Sequence, residues 1–369
     1  DGPRARSWEE HMTRFFATDA ASACADICDC HGLSRRGFLR TTTAAAGAAF
    51  LPARAFAQGT PATKIDTHHH FYPPEVKKFG GMGGPLTDNW TPQKSIEEMD
   101  KNGVKTSILS MASVPMDWFK MSNDESRKFV RGINDYGAKM VSDFPGRYGL
   151  FAYLSMVDVE GSMKEIEYAF DTLKADGIGI STGYNNVYPG DPKFAPIFAE
   201  LNRRKATVYF HPTTQTCCLG IVPGVGDSWA EVPNDTTRAV LSLMFTGSLL
   251  KLRDIKFLWS HGGGTIPMIA ERIDWLSKGQ VKNRAELMPE GPLAEFKRFY
   301  YDTANAGYPG SMAALMKLVD VSHIMFGTDY PYVTTDWNAQ ALRRAGITDE
   351  QIRAIETENA KVLLPRLKA

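Results

Sequence analysis

Residues 64–73 read Lys-Ile-Asp-Thr-His-His-His-Phe-Tyr-Pro. A β-forming run closes on His68 and His70, whose i, i+2 spacing puts both side chains on one face of a strand and His69 on the other. The design returns three times. Val208-Tyr-Phe-His-Pro ends a run on His211, Leu258-Trp-Ser-His-Gly-Gly-Gly ends another on His261, and Met325-Phe-Gly-Thr-Asp-Tyr-Pro places Asp329 just beyond a fourth. Strand ends that carry metal-capable residues belong together in a parallel barrel, where the C-terminal ends of all strands meet at one mouth.

Working outward, eight short apolar or β-branched runs are expected as strands: Lys64–His68, Val104–Leu109, Tyr148–Leu154, Gly177–Ser181, Ala206–His211, Lys256–His261, Arg298–Asp302 and His323–Gly327. Amphipathic helical stretches lie between them: Glu125–Val141, Ser162–Lys174, Phe194–Arg204, Thr236–Leu252, Ile266–Leu276 and Gly310–Leu318. Another follows the last strand, Asp349–Leu364, with Thr348 as its N-cap. Strand and helix in alternation predict an α/β chain, specifically a (β/α)8 TIM barrel with a metal site at the C-terminal mouth. A doubly wound open sheet is the rival, weakened because no Gly-x-Gly-x-x-Gly turn follows the first strand. Two long connections, Phe71–Gln93 and Pro212–Pro233, leave strands 1 and 5 at the mouth, where long loops act as lids or specificity loops.

His68, His70, His211 and Asp329 offer three imidazoles and a carboxylate, a donor set that suits one divalent ion, Zn²⁺ first and Mn²⁺ as the alternative. His261 reaches the same mouth. His323, at the start of its strand, belongs at the opposite end and is expected to be structural.

Composition removes other classes. The chain has 369 residues, and its 42 Lys+Arg balance 42 Asp+Glu, which argues against a nucleic-acid binder. No apolar run is long enough for an integral membrane segment. Five Cys do not make a disulfide scaffold. The adjacent Cys217 and Cys218 read as a passive loop pair, since neighbouring Cys seldom form an unstrained disulfide.

Residues 1–57 are expected to be a leader. Ser34-Arg-Arg-Gly-Phe-Leu-Arg resembles a twin-arginine signal, an Ala-rich stretch follows, and Ala55-Phe-Ala supplies a cleavage site after Ala57. Export by the twin-arginine machinery, a periplasmic destination and a single barrel domain over residues 58–369 follow as expectations. Cys24, Cys28, Cys30 and His31 then fall in leader sequence rather than in a metal cluster.

Asp66-Thr-His-His-His-Phe-Tyr-Pro, Ile96-Glu-Glu-Met-Asp, Phe210-His-Pro, Ser260-His-Gly-Gly-Gly-Thr and Phe326-Gly-Thr-Asp-Tyr-Pro together resemble the amidohydrolase superfamily. The likeness is to its amidohydrolase-related branch, which contains aminocarboxymuconate semialdehyde decarboxylase and related aromatic-acid decarboxylases. The resemblance implies that His68, His70, His211 and Asp329 hold one metal, with solvent completing the shell, and that His261 is the catalytic histidine that activates that solvent. It also implies that Arg272, in Ala270-Glu-Arg-Ile-Asp, is lent to a dimer partner to hold a substrate carboxylate. A homodimer follows if that parallel holds. Three departures stand out. Strand 4 ends Gly-Ile-Ser-Thr-Gly without the bridging Lys or Glu of binuclear members. No Arg lies between Lys64 and Ser126, and Thr213 replaces a Trp after the strand-5 His-Pro, so the muconate semialdehyde itself is a poor candidate substrate.

The expected function is that of a metal-dependent decarboxylase of a small aromatic or unsaturated carboxylate, with Asp329 and His261 moving protons. Hydrolysis of a lactone, ester or amide at the same site is the second reading, and a metal-dependent binding protein without turnover is the third. Tyr72, Trp90, Trp118, Tyr184 and Trp229 lie on mouth loops, where they either stack on a planar substrate or pack the loops onto the barrel. Of these, Trp90 and Tyr184 join Arg272 as candidate substrate-binding residues.

Overall fold

The computed structural model describes residues 63–78, 85–112 and 120–368. The expected leader, with its cysteines and expected cleavage site, lies outside the described residues, as does Trp118.

Eight strands run in the order of the chain: β1 (Lys64–His70), β2 (Val104–Ser110), β3 (Tyr148–Tyr153), β4 (Gly177–Ser181), β5 (Thr207–His211), β6 (Lys256–Trp259), β7 (Tyr300–Asp302) and β8 (Ile324–Met325). Each pairs in parallel with the next. The end of β8 returns to β1. The Thr67 N–H donates to the Phe326 carbonyl, the Asp329 N–H to that of His68 and the His70 N–H to that of Tyr330, each at 2.9 Å. The ring is closed, and the chain is the (β/α)8 barrel that the sequence predicts.

Side chains fill the interior. Ile65, Ile108, Phe151, Tyr209, Leu258 and Met325 form a buried cluster with Ala360, Leu363 and Leu364 of the C-terminal segment. A larger core lies between strands and helices, including Phe210, Trp259, Phe257 and Phe299. Local signals agree with the packing. Ser122 and Glu125 form a reciprocal capping box at the start of the helix Asn123–Asp143, and Thr348 with Gln351 does the same before Asp349–Arg353. Among the described residues, no helix is long and apolar enough to cross a membrane.

The differences from expectation have local causes. β6 stops two residues early because His261 turns to φ +53° and Gly262, Gly263 and Gly264 follow at +63°, +77° and +67°. A parallel ladder needs extended backbone. The helix expected at Thr236–Leu252 runs Glu231–Phe245, where Gly247 at φ +73° breaks it into the short turn Ser248–Lys251. The stretch Ser162–Lys174 divides into a helix at Val159–Glu167, capped by Asp158, and a wide turn at Tyr168–Thr172.

Candidate active site

His68 and His70 close β1 pointing into the barrel, and His69 points away as expected. Its ring bonds Asp66 Oδ2 at 3.0 Å and Ser95 Oγ at 2.8 Å. His323 sits just before β8, with Nδ1 bonded to the Phe299 carbonyl at 2.8 Å and its ring stacked on Tyr300. It is structural.

The four expected ligands meet. Ligand atoms of His68, His70, His211 and Asp329 lie within 4.8 Å of one another, all in buried residues. His68 Nε2 is 3.1 Å from His70 Nε2, and Asp329 Oδ1 is 3.2, 2.9 and 4.0 Å from the Nε2 atoms of His68, His70 and His211. Ligands bound tetrahedrally at about 2.0–2.1 Å stand roughly 3.3 Å apart, a spacing that these distances bracket.

The donor chemistry fits a cation. His68 gives its Nδ1 side to Asp302 Oδ2 at 2.8 Å, and His70 gives its Nδ1 to the Ser110 carbonyl at 3.2 Å. Both acceptors take an N–H, so the Nε2 lone pairs face each other and need positive charge between them. Both nitrogens of His211 are buried without a hydrogen bond, an arrangement costly for a polar group with nothing to bind. The electrostatics agree. Burial alone would lower His68, but the Asp302 and Asp329 carboxylates outweigh it and push it up to about 10. The point favours positive charge, which a divalent ion would supply in place of a proton. Burial, followed by the neighbouring His70 and His68, drives His211 well below its usual value, into the neutral ligand form. Burial would raise Asp329, but its close contacts with the His68 and His70 rings hold it well below the usual carboxylate range.

His261 stands beside this cluster, its ring centre 4.8 Å from that of His68 and 5.6 Å from that of His211. Its Nδ1 bonds the Ala304 carbonyl at 3.0 Å. A carbonyl only accepts, so Nδ1 carries the proton and Nε2 keeps its lone pair. Asp302 braces both histidines: Oδ1 accepts the His261 N–H at 2.9 Å while Oδ2 holds His68. Asp302, at the end of β7, thus fixes the positions of both rings.

Glycine is required at two places here. A Cβ on Gly264 would lie 2.1 Å from the Pro233 carbonyl oxygen. One on Gly327 would lie 2.9 Å from His68 Cβ and 3.0 Å from Asp302 Cβ, so only glycine lets the end of β8 pass beneath the site.

A cavity of about 960 Å³ opens on the cluster. Its wall includes His211, His261, Asn305 and Asp329 at one end and Trp229, Met268 and Leu315 elsewhere. Among the described residues, no Lys or Arg lines it. The stacking candidates Trp90 and Tyr184 are 2% and 1% exposed and lie outside the lining of this cavity. Tyr184 spends its hydroxyl on the Ser181 N–H, and Trp90 packs edge-on against Tyr72, so both hold loops to the barrel. Trp229 does line the cavity. Arg272 is exposed on the helix Ile266–Gln280 and does not line its own chain's cavity. Asn305, on the loop after β7, was not anticipated; the sequence offered only its place after Asp302-Thr-Ala.

A fold and a site of this kind define a metal-dependent barrel enzyme. The amidohydrolase family model matches residues 65–366, and the chain belongs to that family. It is 32% identical over 326 residues to a decarboxylase of Aspergillus niger, covering 83% of this chain and 88% of that protein. It is 31% identical over 316 residues to the 6-methylsalicylic acid decarboxylase of Penicillium expansum, covering 83% and 97%. Among solved structures, a dihydroxybenzoic acid decarboxylase of Polaromonas sp. JS666 with bound manganese and 2-nitroresorcinol shares the fold at TM-score 0.73 and 21% identity, covering 83% and 98%.

Proposed function

We propose that this enzyme is a metal-dependent decarboxylase of ortho-hydroxy aromatic acids. The observation that carries the reading is the tautomer of His261, whose protonated Nδ1 is tied to Ala304 and whose free Nε2 stands beside four metal-capable side chains. The decarboxylases to which the chain is similar, one of them named for 6-methylsalicylic acid, support this reaction over hydrolysis.

His68, His70, His211 and Asp329 would hold the ion, which would supply Lewis-acid charge to a bound carboxylate substrate. Among the described residues, the cavity wall offers no Lys or Arg to pair with that carboxylate. His261 Nε2 accepts the proton of the substrate's ring hydroxyl and delivers it to the ring carbon that bears the carboxylate. The bond to that carboxylate then breaks, its electron pair restores the aromatic ring, and CO₂ leaves. Asp329 also faces the cavity but is held ionised, so His261 is the freer proton carrier. The test is CO₂ release from hydroxybenzoates by wild type and by His261→Ala at matched metal content.

The metal's identity belongs to this proposal: three imidazoles and one carboxylate favour Zn²⁺, and the manganese of the Polaromonas enzyme makes Mn²⁺ the other candidate. So do export through Arg35-Arg36 and a homodimer. Met268 and Trp275, 73% and 70% exposed on the helix that carries Arg272, support the dimer.

A further inference from the structure

Asp329 uses its two oxygens differently. Oδ1 faces His68, His70 and His211, while Oδ2 accepts a 2.8 Å hydrogen bond from Asn305 Nδ2. The terminal torsion of a carboxylate is broad and nearly two-fold, so an unbraced Asp exchanges its oxygens or turns both toward a cation. Asn305 removes that freedom.

Asn305 is itself fixed. Its N–H donates to Asn338 Oδ1 at 3.0 Å, and Asn338 Nδ2 donates to the carbonyl of Thr328, the residue before Asp329, at 2.6 Å. The loop after β7, the ligand loop after β8 and the helix Thr335–Arg343 thus close a bracket around the ligand. Both braced residues have left-handed backbone, Asn305 at φ +51° and Asp329 at +63°. Such geometry costs energy outside glycine and persists where the surroundings enforce it. Asn tolerates this region, yet a turn alone would be served as well by Gly. Turn geometry does not account for an amide aimed at Asp329 from the cavity wall.

We propose that Asn305 is a positioning residue that fixes Asp329 as a one-oxygen metal ligand. The proposal rests on the assignment of Asp329 as a ligand and is independent of which reaction the enzyme performs. Asn305→Gly keeps the left-handed backbone and removes only the amide. Chelator competition with Zn²⁺ should show wild type holding about one ion and the variant binding it roughly 10–100-fold more weakly, the usual effect of losing a partner that orients a ligand. The visible spectrum of the Co²⁺-loaded protein, which reports coordination number, should change with it. If Asn305→Gly does not fold, Asn305→Asp keeps shape and backbone tolerance, offers no N–H, and must alter the same Co²⁺ spectrum. Zn²⁺ affinity within two-fold of wild type together with superimposable Co²⁺ spectra would overturn the proposal. A wild-type protein that binds no divalent ion would overturn the ligand assignment and the proposal with it.

Discussion

One carboxylate, that of Asp302, holds His68 through Oδ2 at 2.8 Å and the His261 backbone through Oδ1 at 2.9 Å. The expected metal ligand and the expected proton carrier therefore take their positions from the same fully buried side chain. Asp302→Asn preserves shape but withdraws the charge that keeps His68 basic. Zn²⁺ affinity should fall about 10–100-fold, read by chelator competition. Undiminished affinity would show that Asp302 serves packing alone.

His261 and His211 should separate by metal content. His211→Ala removes a ligand and should lower metal affinity directly. His261→Ala leaves four ligands and should keep its ion while losing about 10²–10⁴-fold in turnover. A metal-depleted His261→Ala protein, restored by excess metal, would make His261 a ligand.

The acid limb of kcat/KM should report His261. Burial is the largest influence and lowers it below 6.5, against the opposing pull of Asp329. The neutral form accepts the proton, so activity is full above its pKa and falls as pH drops through it. The midpoint should lie below 6.5 and the limb should be absent from His261→Ala. A midpoint above 6.5 assigns the limb to another group.

Inside the barrel, Leu258→Ala should cost about 2–5 kcal/mol, because the interior is closed by side chains that cannot collapse into the space. Denaturant unfolding of wild type and variant measures it. A cost under 1 kcal/mol would mean that the interior is loosely filled.

Arg35-Arg36→Lys-Lys should leave the protein uncleaved and inside the cell. Normal export with Gln58 at the N-terminus would show that the pair is not read as a signal.

The barrel and the four ligands were legible because each strand end combines an apolar run with a metal-capable residue, and parallel topology sends those ends to one place. The i, i+2 spacing of His68 and His70 sufficed to separate them from His69. Asn305 was not legible, since an Asn on a loop acquires meaning only when three-dimensional closure brings it to Asp329, 24 residues later. The placing of Trp90 and Tyr184 was not legible for a related reason. An aromatic residue on a mouth loop can face the cavity or the barrel wall, and only packing decides which. Composition also could not tell a cavity lined by Lys or Arg from one without them, because it does not say where the basic residues lie.

The central claim is tested most directly by incubating metal-loaded enzyme with carboxyl-¹³C 6-methylsalicylate in D₂O and following the products by NMR. The wild type should give ¹³CO₂ together with a methylphenol carrying one deuterium on the carbon that held the carboxylate, both lost in His261→Ala at equal metal content. Recovery of the acid unchanged, and of other hydroxybenzoates likewise, from an enzyme that hydrolyses a lactone or aryl ester would contradict it.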